Sequence, residues 1–248
     1  MSRPAFLDHT KDPETVALVI LNTPISKSSI SLFQSVWNSS CLRVCADGGA
    51  NRLYNLFESN DRMKYLPDLI VGDLDSLEEH VREFYEEQLV PVIRKDDEYS
   101  TDLSKAFNEL WSFSPKNSKI DQTMIFGGTS GRLDQTIHTL VFLHHQLIDR
   151  PNQKVWVISE NCVSCVLESG VTTVFDVSSK YLGPTCGILP VGVDSAYVTT
   201  TGLRWNLVEQ PTSFKGLVST SNRMVDNIVT IHTSAPIIWT CELSLNTS

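Results

Sequence analysis

From residue 16 to residue 158 the chain repeats one pattern: a short apolar run without polar alternation, then a longer stretch whose apolar residues recur at helical spacing. The runs are Val16–Leu21, Cys41–Ala46, Pro67–Val71, Leu89–Ile93, Met124–Phe126 and Val155–Ile158. Between them come Ile30, Phe33 and Trp37, then Ala50, Leu53, Tyr54 and Phe57, then Leu77, Val81, Phe84 and Tyr85. Leu103, Ala106, Phe107, Leu110 and Trp111 follow the fourth run, and Leu133, Ile137, Leu140 and Val141 follow the fifth. A strand that is apolar on both sides must be covered on both sides, and a crossover helix between parallel strands does this. The expected first domain is therefore α/β, a Rossmann-like parallel sheet in the broad sense.

The pattern changes near residue 160. Residues 1–160 carry 39 of the chain's 49 Asp, Glu, Lys and Arg side chains. The remainder is rich in Val, Thr and Ser, which suit strands. Short strand candidates follow at Val163–Leu167, Val171–Phe175, Gly187–Pro190, Ala196–Thr200, Gly216–Thr220, Ile228–His232 and Ile237–Trp239, and no helical stripe lasts beyond a turn. The expected organisation is an α/β domain over residues 1–160 followed by an all-β antiparallel sandwich domain over residues 161–248.

The formal net charge of −9 sets a further limit. An acidic surface repels a nucleic-acid backbone, so nucleic acid is not expected as a partner. It repels a polyphosphate as well, unless a bound cation reverses the local sign. No stretch reaches the roughly 18–20 apolar residues of a membrane span, and Met1–Pro13 has no apolar signal-peptide core, so a cytoplasmic location is expected. The six cysteines then read as reduced thiols. Cys162 and Cys165, and likewise Cys41 and Cys45, fall in apolar strand-like runs and read as small buried hydrophobes rather than zinc ligands. The sequons at Asn38 and Asn246 should stay bare in the cytosol. His138 reads as structural, and the adjacent His144 and His145 face different ways on a helix.

Ligands of an open α/β sheet bind beyond the carboxyl ends of its strands. Four strand–helix junctions in succession carry polar residues: Asp47–Arg52, Gly72–Ser76, Asp96–Asp102 and Gly127–Asp134. Carboxylates cannot grip a polyphosphate directly, but they can hold Mg²⁺, a hard cation that prefers oxygen. Asp73 and Asp75, two apart in an extended loop, can point the same way, and Asp102 opens a helix three residues before Lys105. These three are the expected metal ligands. Gly127, Gly128 and Gly131 let backbone approach phosphate oxygens ahead of a helix N-terminus, and Arg132 adds a fork of donors. Gly128, Gly131 and Arg132 are accordingly the expected phosphate cradle, and Asn51 is placed with the binding residues. The segment is neither G-x-x-x-x-G-K-[ST] nor G-x-G-x-x-G, and no G-x-S-x-G elbow occurs.

Taken together, C-A-D-G-G-A-N-R-L-Y (45–54), G-D-L-D-S (72–76), S-T-D-L-S-K (100–105) and G-G-T-S-G-R-L-D-Q (127–135) resemble the thiamin pyrophosphokinase family. T-T-T-G-L-R-W-N-L (199–207) and L-V-S-T-S-N (217–222) extend the resemblance into the second part. The resemblance implies a homodimer with an ATP-binding α/β domain and a β-sandwich that helps to bind thiamin. It implies transfer of the β,γ-pyrophosphoryl group of ATP to the thiamin hydroxyl, with release of AMP. It places Asp47, Asp73, Asp75, Asp102 and Asp134 on the family's acidic active-site positions, and Trp205, Ser219 and Asn222 on positions linked to thiamin or nucleotide. One loop departs from the vertebrate form: Asp97-Glu98-Tyr99-Ser100-Thr101-Asp102 stands where Asp-Gln-Asp-His-Thr-Asp is expected, so the metal assignment there rests on Asp102.

Two other readings stay open at this point. Asp73-Leu74-Asp75-Ser76 after a strand also resembles an aspartyl-nucleophile phosphatase motif, and a nucleotide- or thiamin-sensing module would bind without turnover. Nucleotide products separate them: thiamin-dependent AMP for pyrophosphoryl transfer, free phosphate without an acceptor for the phosphatase, and none for the sensor.

Overall fold

The computed structural model describes residues 3–7, 12–97, 99–113, 120–179 and 181–244. Glu98 and the Asn246 sequon lie outside them. The chain divides into two compact units, one of Thr10–Thr139 with Val157–Glu160, the other of Met1–His9, Leu140–Trp156 and Asn161–Ser248.

The first unit is a parallel sheet with helices. Its strands are β1 (Val16–Ile20), β2 (Leu42–Ala46), β3 (Leu69–Gly72), β4 (Val92–Arg94) and β5 (Gln122–Phe126), joined by the end of β6 (Lys154–Ile158). The order is β4-β3-β2-β1-β5, with β6 beyond β5. The pairs β1–β2, β2–β3, β3–β4 and β1–β5 are all parallel. The chain walks outward from β1 to β4 and then returns to the other side of β1. That reversal makes a switch point between β1 and β5, where the loops after the two strands part and leave a crevice.

Every residue of β1 is fully buried, as expected of a strand covered on both faces. Each such Val, Leu or Ile adds about 1.5–3 kcal/mol relative to an exposed one. Helix α1 (Ile30–Asn38) buries Leu32, Phe33, Val36 and Trp37. Phe33 meets Phe126 of β5 edge-on, with ring centroids 5.2 Å apart. Helices α2 (Gly49–Leu56), α3 (Ser59–Arg62), α4 (Glu79–Glu87) and α5 (Asp102–Phe113) follow, and α6 (Leu133–Asp149) starts in this unit. The fourth strand begins later than its apolar run suggests. Leu89 takes φ 61° and ends the turn after α4, where it is 89% exposed. Pro91 has no N–H to give to the ladder, so pairing starts at Val92.

The second unit is an antiparallel sandwich. Its strands are β7 (Cys162–Leu167), β8 (Thr172–Asp176), β9 (Leu182–Leu189), β10 (Ala196–Thr201), β11 (Gln210–Thr212), β12 (Ser219–Arg223), β13 (Ile228–Thr233) and β14 (Ile237–Leu243). They form the antiparallel runs β7-β14-β9-β12 and β8-β13-β10-β11. Strand β10 alternates buried and open positions, as a half-buried sheet requires. Phe175 of β8 stacks on Trp239 of β14 at 5.6 Å, which joins the two layers. β11 is too short and polar to announce itself in the sequence, and it holds Pro211 at a sheet edge, where proline is tolerated.

Cys45, Cys165, Cys186 and Cys241 are buried, whereas Cys41 is exposed just ahead of β2. Cys162 and Cys165, three apart on β7, point to opposite faces and cannot share an ion. Among the described residues no helix is long and apolar enough to cross a membrane.

Candidate active site

The loops at the carboxyl ends of the parallel strands enclose a cavity of about 680 Å³. Asp73, Ser76, Thr101, Asp102, Lys105, Gly128, Gly131 and Arg132 are among the residues that line it. Three of the four segments singled out from the sequence thus line it, because the strands before them are parallel, and Ala46 brings the end of β2 to the same edge just before the fourth.

Asp47 leaves β2 with φ 44°, a left-handed turn that an Asp tolerates better than most residues. Its backbone N–H donates to Val71 O at 2.9 Å, which ties the turn to β3. Gly72 ends β3 against this turn: a Cβ there would come 2.6 Å from Asp47 Cβ and 3.3 Å from Asp102 Oδ1. Only hydrogen at that position lets Asp47 and Asp102 close in. One carboxylate oxygen from each of Asp47, Asp73 and Asp102 then lies within 4.8 Å of the others. Asp47 Oδ2 accepts from Ser76 N at 3.2 Å, while Oδ1 is buried without a partner.

Lys105, one turn into α5, closes the cluster. Its Nζ donates to Asp73 Oδ2 at 3.0 Å and to Asp102 Oδ1 at 3.4 Å, and its side chain is only 5% exposed. The electrostatics follow from this arrangement. Burial, and then the charge of Asp102, push the Asp47 carboxyl up to about 6. Burial, and then the charge of Asp73, also raise Asp102. The Lys105 hydrogen bond holds Asp73 below the usual carboxylate range. Burial works against the Lys105 charge, but the hydrogen bond to Asp73 and the nearby acids outweigh it and the ammonium is held above its ordinary range. A single ammonium leaves the cluster with surplus negative charge. An all-oxygen donor set, one buried oxygen unpartnered, and excess negative charge fit a hard divalent cation.

Asp75 lies outside that trio. Its Oδ1 accepts from the Ser76 hydroxyl at 3.0 Å, yet its charge is close enough to raise both Asp47 and Asp102. Asn51 has both ends of its amide engaged, donating to Ser76 O at 2.7 Å and accepting from Glu78 N at 3.1 Å. It clasps the Gly72–Ser76 loop to α2. Gly128 takes φ 88°, and its N–H donates to Thr23 Oγ1 at 3.2 Å. Arg132 and Asp134 form an exposed ion pair with each other, Nε to Oδ1 at 3.1 Å.

In the second unit, the three expected residues come together by themselves. Asn222 Oδ1 accepts from Trp205 N at 3.3 Å, and Nδ2 donates to Trp205 O at 2.8 Å and to Ser219 Oγ at 3.4 Å. Ser219 and Asn222 are buried, whereas the Trp205 indole is 56% exposed, with the Arg204 guanidinium 5.1 Å from its ring centroid.

The cavity also recruits residues that the sequence reading passed over or treated as structural. Leu21–Pro24 after β1, Lys105, Gln135, His138 and Glu160 all line it. The β1 loop lacks Gly and acids, so its one signal was position at a strand end. Lys105 stands three residues after Asp102, on the same helical face, which was a readable signal.

Comparisons with known proteins agree across both units. The family model described as thiamin pyrophosphokinase, catalytic domain, matches residues 33–157, and the one described as thiamin pyrophosphokinase, vitamin B1 binding domain, matches residues 172–238. Thiamine pyrophosphokinase 3 of Oryza sativa subsp. japonica is 36% identical over 243 residues, covering 92% of this chain and 86% of its own. The thiamine pyrophosphokinase of Saccharomyces cerevisiae is 32% identical over 283 residues, covering 96% and 88%. The crystal structure of yeast thiamin pyrophosphokinase superposes with a TM-score of 0.83 at 29% identity, covering 97% of this chain and 90% of that one. That of thiamin pyrophosphokinase from Candida albicans gives 0.82 at 26% identity, covering 92% and 89%.

Proposed function

The chain belongs to the thiamin pyrophosphokinase family, and from that premise we propose that it transfers the pyrophosphoryl group of ATP to the thiamin hydroxyl, giving thiamin diphosphate and AMP, with Mg²⁺ as the metal. The observation that carries the metal-dependent part is the convergence of Asp47, Asp73 and Asp102, the last two of which line a cavity large enough for a nucleotide polyphosphate. These three, with Asp75 beside them, would hold the ion. Bound there, Mg²⁺ supplies positive charge against the phosphate oxygens and the developing charge on AMP.

The chain's own residues do the rest. Gly128 shapes the loop, and Gly131, Arg132 and the first turn of α6 face the phosphate space with donors. Asp134 steadies the Arg132 fork and, with Asp47, is a candidate to orient the acceptor hydroxyl. Asn51 keeps the Gly72–Ser76 loop in register with α2. Trp205 offers an open indole face to the cationic thiazolium ring of thiamin, and Asn222 and Ser219 fix the backbone that presents it. Most of the rate gain in such a site comes from positioning and fixed charge.

A homodimer in the cytoplasm belongs to the same proposal, and sedimentation tests the assembly. The reaction is tested by mixing the protein with ATP, Mg²⁺ and thiamin and resolving the nucleotides. Thiamin-dependent AMP supports the reading. ADP, or free phosphate formed without thiamin, would replace it with a simple kinase or a phosphatase.

A further inference from the structure

Lys105 is the one cation seen bonded to the acidic trio among the described residues, and it is spent on two members of it. The Lys105 side chain is only 5% exposed, on a helix whose Leu103, Ala106, Phe107 and Leu110 are buried as well, so a displaced ammonium gains little water where it stands. A divalent ion that takes Asp73 and Asp102 must therefore compete with Nζ for the same oxygens. Once displaced, a buried ammonium needs another anion within reach of its stem. It lines the same cavity as Gly128, Gly131 and Arg132, where the polyphosphate is placed by the reading above.

We propose that Lys105 is an exchangeable counter-cation of this site: it holds Asp73 and Asp102 together when no metal is bound, and passes from those carboxylates to the nucleotide's phosphates when a divalent ion arrives. This rests on the metal-dependent nucleotide reading. The exchange moves charge without making or breaking a covalent bond. Its consequence is a division of labour. Lys105 weakens binding of a metal alone, since the ion must displace it, and strengthens binding of metal and nucleotide together. A residue that merely braced the fold would weaken both.

The test uses the full chain and its Lys105→Met and Lys105→Gln variants, with Mn²⁺ as a probe read by electron paramagnetic resonance and a non-hydrolysable ATP analogue read by calorimetry. In either variant that keeps a cooperative thermal transition, Mn²⁺ alone should bind up to about fivefold more tightly, the scale of one lost competing ion pair. The analogue with Mg²⁺ should bind about tenfold more weakly, the scale of one charge-assisted phosphate contact. Unchanged or weaker Mn²⁺ binding in the variants overturns the exchange. Tighter Mn²⁺ with unchanged nucleotide binding overturns the hand-over to phosphate. If the unaltered chain binds no Mn²⁺ at all, it is the metal reading itself that fails, a separate result.

Discussion

Asp47 is 2% exposed, has one oxygen without a partner and has the charges of Asp102, Asp73 and Asp75 around it, and its pKa is pushed up to about 6 from 3.8. Between those two values the folded chain binds more protons than the unfolded one, so stability falls as pH rises through the window and the full cost is present above about 6. An amide at the same place escapes that cost. Asp47→Asn should raise the unfolding free energy by about 2 kcal/mol at pH 7, on the order of one to two pKa units at 1.36 kcal/mol each. At pH 4 the gain should nearly vanish, because Asp47 is then mostly protonated. Urea titrations at the two pH values read the difference. The same variant should bind Mn²⁺ far more weakly, since one ligand charge is gone. A stabilising change that removes function is the expected signature of a strained site. No stability gain at pH 7 would mean that the fold does not hold the Asp47 carboxyl above its ordinary range.

The joints between elements place these residues, and they explain which parts of the site were readable. Long apolar runs and helical stripes located the parallel strands to within a few residues, and parallel strands put four loops on one edge. What periodicity could not show is the backbone turn inside a loop. Asp73 and Asp75, alternate residues of a loop, were expected to pair. Leu74 between them takes φ 68°, so the loop is not extended there, and the carboxylate that gathers with Asp73 and Asp102 is that of Asp47. Likewise β12 starts at Ser219, later than the run from Gly216 implies, because Gly216 and Leu217 are bonded back to Ser213 in a turn, and Ser221 then takes φ 54° where the register shifts. Gly72 tests the importance of such a joint. Gly72→Ala drives a methyl to 2.6 Å from Asp47 Cβ, so β2 and β3 must part or Asp47 must turn away. Either response should cost about 1–3 kcal/mol of stability, as overpacking does, and should lower kcat by about a hundredfold by spreading the acidic trio. The Trp205 joint predicts a different profile. Asn222→Ala removes both hydrogen bonds to the Trp205 backbone and should raise KM for thiamin at least about fivefold, with a loss of about 1–2 kcal/mol in stability. KM for ATP should not change, and an equal rise in both constants would count against separate roles for the two sets of residues.

At the scale of the whole molecule, the proposed reaction asks a chain of net charge −9 to bind a nucleotide of the same sign. Without a divalent ion, the field of the protein opposes approach of ATP, and the acidic trio opposes it at closest range. With the ion, the surplus negative charge at the cavity is offset although the rest of the surface stays acidic. ATP and Mg²⁺ must then be strongly coupled ligands. By linkage, whatever factor Mg²⁺ contributes to ATP affinity, ATP returns to Mg²⁺ affinity. That factor should be about a hundredfold or more, near the upper part of the usual 1–3 kcal/mol range of coupling energies. Calorimetric titration of ATP in EDTA and in excess Mg²⁺, and of Mg²⁺ with and without the non-hydrolysable analogue, closes the cycle. Asp73→Asn should reduce the coupling towards unity while leaving ATP binding in EDTA the same or slightly tighter, because it removes a repelling charge. Salt should act with opposite signs in the two conditions. Screening relieves repulsion and tightens ATP binding in EDTA, but weakens binding of the metal complex, where attraction to the site dominates. If salt weakens ATP binding equally in both, a permanent positive patch rather than a captured ion is what grips the nucleotide.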